Sequence, residues 1–102
     1  METMITSRHG EIAELLRARA ERVVERLVRL ANRPTAAHVT FGLDHQRATA
    51  EVMLTAARGV VHVASAEAAD HRTALDRAAA KVRRQLDKQE ANPRRRAGRT
   101  RS

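Results

Sequence analysis

The chain has 102 residues, with 20 Lys and Arg against 12 Asp and Glu and a formal net charge of +8. That length supports one small core, and Phe41 is the sole aromatic side chain among 42% hydrophobic residues, so the core is expected to be aliphatic and rich in alanine. The lack of cysteine excludes disulfides, thiolate zinc sites and cysteine nucleophiles; no apolar run approaches the roughly 18 residues of a membrane span and no signal-peptide pattern opens the chain, so a cytoplasmic protein with no membrane partner is expected.

Residues 3–6 are β-prone, and residues 7–10 break the pattern with polar side chains and Gly10, which reads as a first strand and a turn. Over 11–31, Ile12, Leu15, Leu16, Val23, Leu27 and Leu30 recur at helical spacing, with Ala20 filling the remaining turn, and predict a long amphipathic helix. Asn32, Arg33 and Pro34 end it, because proline disfavours helical geometry at the residue before it and has no N–H to donate. Ala37, Val39, Phe41 and Leu43 then alternate with polar residues or Gly42, the period that turns one face of a strand to a core. Ala48, Ala50, Val52 and Leu54 repeat that alternation, Arg58 and Gly59 supply a turn, and residues 60–67 form the last strand. Asp70 is a plausible N-cap for a final helix whose apolar stripe is Leu75, Ala79, Val82 and Leu86.

That helix is expected to end near residue 91, before Asn92 and Pro93, so residues 1–91 read as one domain and residues 92–102 as a disordered basic tail. The order β-α-β-β-β-α predicts an α+β two-layer sandwich, with two helices on one face of a four-stranded mixed sheet.

The charge is unevenly spread: residues 1–68 carry +1, 69–91 carry +2 and 92–102 carry +5. On the final helix Arg77, Lys81, Arg84 and Lys88 share one sector, at about 100° per residue, opposite the apolar stripe. On the first, Arg19, Arg22, Arg26 and Arg29 gather on one flank of the core stripe, with Glu14, Glu21 and Glu25 further round. Two basic surfaces on adjacent helices suit phosphate oxygens, which guanidinium groups bind bidentately and lysine binds as a point charge. A lone phenylalanine, placed on a core strand, cannot form a base-stacking platform, so recognition by the shape and backbone of folded RNA is expected.

The five histidines make no HxH or HxxxH pair, so exposed strand and turn positions are expected for them rather than a metal site. Ser65, His62 and Asp70 make a triad only on paper, with no nucleophile elbow or oxyanion glycine. Neither an enzyme nor a cofactor or small-molecule substrate is called for.

Gly59, His62, Ala64, Ser65, Ala66, Glu67 and Asp70, followed by Ala74-Leu75-Asp76 and by Lys81, Val82, Arg84, Gln85 and Leu86, resemble the signature of the ribosome hibernation-promoting and ribosome-associated inhibitor family. Ile5 and Thr6 before the first turn, and Glu11, Ile12, Glu14, Leu16 and Arg17 after it, also fit. The resemblance implies a fold like a double-stranded-RNA-binding domain. It also implies binding to rRNA at the decoding region of the small ribosomal subunit, where messenger RNA and tRNA would be excluded. Under it, Lys81, Arg84 and Lys88 are rRNA contacts with Arg77 beside them, and Arg22, Arg26 and Arg29 extend the surface. His62 lies one residue further from Ala64 than in the family pattern, a spacing that a β-bulge or a shifted hairpin would absorb. The second, dimerising domain of long family members is not seen after the first, so a monomer when free is expected. Two other readings remain open at this level: a generic nucleic-acid binder acting through Arg94, Arg95, Arg96, Arg99 and Arg101, and a protein-interaction adaptor.

Overall fold

The computed structural model describes residues 1–88. In chain order its elements are β1 (Glu2–Ser7), α1 (Glu14–Leu30), β2 (Ala36–Asp44), β3 (Arg47–Thr55), a 3₁₀ turn (Ala57–Gly59), β4 (Val61–Ala68) and α2 (His71–Leu86). The expected helix end at residue 91 and the tail over 92–102 lie outside the described residues. The strands form one sheet in the order β1-β2-β3-β4, with β1 parallel to β2 and the other two pairs antiparallel. A parallel β1–β2 pair needs a crossover, and α1 supplies it. Both helices pack into one hydrophobic core with the sheet, which gives the two-layer α+β sandwich.

Alternation builds the core face of the sheet. Ala37, Val39 and Phe41 of β2, Ala48, Ala50, Val52 and Leu54 of β3, and Ala68 of β4 are buried. Against them lie Ala20, Val23, Val24 and Leu27 of α1 and Ala74, Leu75, Ala78, Val82 and Leu86 of α2. Large and small side chains meet across the ladder: the Phe41 ring sits beside its paired residue Ala50, where two bulky side chains would not fit under the helices.

Four expectations are corrected. α1 begins at Glu14 rather than residue 11, and Leu15 is 86% exposed instead of lying in the stripe. At 3.6 residues per turn, Leu15 is about 140° round from the fully buried Ala20, whereas Leu16 is within about 40° of it. Leu43 is exposed at the hairpin end of β2, opposite the smaller, buried Ala48. His62 is buried, not exposed, since it shares the core-facing parity of Ala64, Ala66 and Ala68. β4 pairs with β3 residue by residue from Ala48↔Ala68 to Thr55↔Val61, so neither bulge nor hairpin shift absorbs the His62 spacing, and Val63 is the residue that precedes Ala64 on the open face.

The β2–β3 hairpin turns on His45 and Gln46, at φ 51° and 67°. Two positive φ values suit the right-handed twist of the flanking strands, as in a type I′ turn, although neither residue is the usual Asn or Gly. The β3–β4 connection similarly uses Arg58 and Gly59 at φ 65° and 72°, and is closed by Ala56 N–H donating to the Val60 carbonyl at 2.8 Å.

Phe41 is the largest of the fully buried side chains, so its removal would leave the largest gap in the core. Phe41→Ala is therefore expected to cost about 3–5 kcal/mol, read from urea unfolding; a loss below about 1 kcal/mol would contradict the packing described.

Candidate nucleic-acid interface on the helix layer

The cations are sorted by layer. α1 carries Arg17, Arg19, Arg22, Arg26 and Arg29, α2 carries Arg72, Arg77, Lys81, Arg83 and Arg84 with Lys88 just beyond it, and the strands carry Arg47 alone. The helix layer is thus the basic surface.

α2 is fixed at its start. Asp70 caps it by accepting from Thr73 N–H at 2.7 Å. Hydrogen bonding by the Thr73 side chain and amide, with smaller help from the charges of Arg72 and Arg77, holds the Asp70 carboxyl below its ordinary value. His71 follows, its Nε2 donating to the Gly42 carbonyl at 2.9 Å while its ring meets Phe41 edge-on at 5.6 Å. The first turn is therefore tied to β2.

The sector expected for Arg77, Lys81, Arg84 and Lys88 is exposed, and it leans over β4. Arg77 Nη1 donates to the Glu67 carbonyl at 3.1 Å and Lys81 Nζ to the Ser65 carbonyl at 2.9 Å. Arg84 and Lys88 border an open trough with Lys81, Gln85 and Asp87.

The α1 arginines divide. Arg19 makes a bidentate pair with Asp76 of α2, at 3.0 and 2.9 Å, which joins the two helices. Arg26 lines the groove between the helices together with Arg19, Asp76 and Arg83. Arg29 instead lines the trough between α1 and β1, with Arg17, Glu21 and Glu25. Ten positions separate Arg19 from Arg29, which at about 100° each leaves them some 80° apart, so the expected single flank fans out across the crest where Arg22 stands. Arg83, absent from the expected set, faces Arg26 across the groove. The α1 side of α2 and the β4 side are opposite flanks, and the two basic surfaces connect only over the crest of α2, at Arg83 and Arg84.

The open sheet face differs in kind. Met4, His38, Met53 and Val63 stand in one row across the four strands, and Met4, Val61 and Val63 are exposed. His38 Nε2 lies 3.0 Å from Thr6 Oγ1 and 3.4 Å from Thr40 Oγ1. His62 and Ser65 are on opposite faces of β4, and the Asp70 carboxylate is engaged by Thr73, so these three residues do not assemble as a triad. Among the described residues no three His, Asp or Glu side chains come together as a metal site.

The sequence profile of the family described as "Sigma 54 modulation protein / S30EA ribosomal protein" matches residues 3–93. Among solved structures, a ribosomal subunit interface protein from Coxiella burnetii is similar at a TM-score of 0.76 and 21% identity, covering 89% of this chain and 99% of that one. The Protein Y N-terminal domain of Thermus thermophilus is similar at a TM-score of 0.71 and 27% identity, covering 83% of this chain and 93% of that one. No curated protein sequence matches the chain.

The cap gives a pH test. Asp70 binds its proton less readily folded than unfolded, so its stabilisation is present above the ordinary carboxylate range and is lost as pH falls through that range to the lowered folded value. Asp70→Asn keeps an acceptor but not the titration. Thermal melts are expected to show the wild type more stable at neutral pH, with the gap closing in acid; a gap constant with pH would contradict the assignment.

Proposed function

The chain belongs to the Sigma 54 modulation protein / S30EA ribosomal protein family, and from that premise we propose that it silences translation by occupying the decoding region of the small ribosomal subunit, with its helix layer against rRNA phosphates. The observation that carries this reading is the sorting of charge: ten of the 15 described Lys and Arg stand on α1 and α2, the strands hold Arg47 alone, and Arg8, Arg33, Arg58 and Lys88 lie outside these elements. A rigid layer of guanidinium and ammonium groups suits a folded polyanion, and binding there excludes messenger RNA and tRNA by occupying their space. No base-stacking surface is needed, in keeping with the burial of Phe41. The binding is expected to read backbone shape rather than sequence, and the protein to act in the cytosol.

Arg77, Lys81, Arg84, Lys88, Arg22, Arg26 and Arg29 are the proposed phosphate contacts. Arg84 and Lys88 serve best as probes, because Arg77 and Lys81 also bond β4 carbonyls and Arg19 is engaged by Asp76. A carboxylate at position 81 would face the Ser65 carbonyl and confuse folding with binding.

Co-sedimentation with ribosomal subunits at low and moderate salt tests the reading. Wild type and a form lacking residues 92–102 are expected to migrate with the small subunit, and Arg84→Glu with Lys88→Glu to bind weakly while remaining folded. Each lost phosphate contact should also flatten the plot of log K against log salt by roughly 0.7–0.9. Binding only by the form that retains 92–102, and equally to any RNA, would move the function to that basic segment.

A further inference from the structure

β4 is an edge strand, and one flank of α2 reaches its outer side at alternate residues from Val63 to Glu67. Gln85 closes a two-way bond with Val63, its Oε1 accepting from Val63 N–H at 3.1 Å and its Nε2 donating to the Val63 carbonyl at 2.8 Å. Lys81 reaches the Ser65 carbonyl and Arg77 the Glu67 carbonyl. The helix ascends by four residues while the strand descends by two. Four helical residues rise about 6 Å and two strand residues about 6.8 Å, so the two runs keep step over three contacts. The pairs thus have the spacing of a strand ladder, made by side chains.

The first two of these contacts, at Val63 and Ser65, fall within an uncharged stretch of that edge. Residues 60–66, Val-Val-His-Val-Ala-Ser-Ala, contain no Lys, Arg, Asp or Glu, no proline and no glycine, and three of them are valine. A valine-rich run without charge on a sheet edge can recruit another strand. Val61 and Val63 are also exposed on the open face, where an added strand would extend the apolar row.

We propose that Arg77, Lys81 and Gln85 form a clasp that takes the place of a fifth strand on β4, and that the partner it excludes is a second copy of this chain. The copy would add through its own β4. Antiparallel pairing of identical edges is the arrangement that a two-fold axis allows, and it gives each copy the same contacts. The clasp keeps the free domain monomeric and leaves Arg84 and Lys88 for other contacts. Arg77 and Lys81 act here as positioning residues, independently of any RNA.

The test uses the free protein without ribosomes, so its outcome is separate from that of the proposed function. Analytical ultracentrifugation over a concentration series compares wild type with the Arg77→Ala, Lys81→Ala, Gln85→Ala triple variant. The wild type is expected to stay monomeric and the variant to dimerise. Adding Ser65→Pro should restore the monomer, because the Ser65 N–H points away from β3 and its loss blocks only the outer edge. A folded triple variant that stays monomeric, or one whose association survives Ser65→Pro, overturns the proposal. Should the triple variant not fold, Gln85→Ala alone decides through amide exchange: the Val63 N–H is expected to exchange several-fold faster, and an unchanged rate overturns the clasp.

Discussion

Ala74 and Ala78, both fully buried, bring α2 down onto β3 and β4, and most of the remaining architecture depends on that close seat. With larger side chains at these positions the helix would stand off the sheet. Arg77, Lys81 and Gln85 would then fall short of the β4 carbonyls, and His71 would lose Gly42. Small residues in the layer thus decide what the long ones reach. The same thinness leaves Phe41 as the largest filler, shared between the sheet and the first turn of α2 through its contact with His71.

Seating α2 this way also distributes the charge. Its inner flank faces α1, where Asp76 takes up Arg19 and where Arg26 and Arg83 line the groove. The Arg19–Asp76 pair is about a third exposed, so it contributes no more than about 1 kcal/mol and serves mainly to set how the helices lie together. Its outer flank faces the β4 edge. What remains toward solvent is a crest of arginines and a lysine on a rigid support, the arrangement that the proposed phosphate contacts require.

Much of this was legible in the sequence, and the misses have definite causes. The alternation of Ala48, Ala50, Val52 and Leu54, the stripe on α2 and the Asp70 cap all rest on local periodicity or local hydrogen bonding, and each stands in the structure. Leu15 lies within α1 but about 140° round from Ala20, and an exposed leucine looks the same in sequence as a buried one. His62 reads as exposed by residue type, whereas strand parity assigns it to the core face. The turn at His45 and Gln46 carries no Asn or Gly to announce it. The sequence announces the clasp only in part. Periodicity shows that Arg77, Lys81 and Gln85 lie near one flank, but only the packing reveals that β4 runs beneath it.

The most direct measurement of the central claim is a cryo-electron microscopy map of small ribosomal subunits incubated with this protein. The claim requires density for the domain in the decoding region, with α1 and α2 turned toward the rRNA and the sheet face carrying Met4, Met53 and Val63 turned away. Density elsewhere on the subunit, or a domain docked through that sheet face, would contradict it.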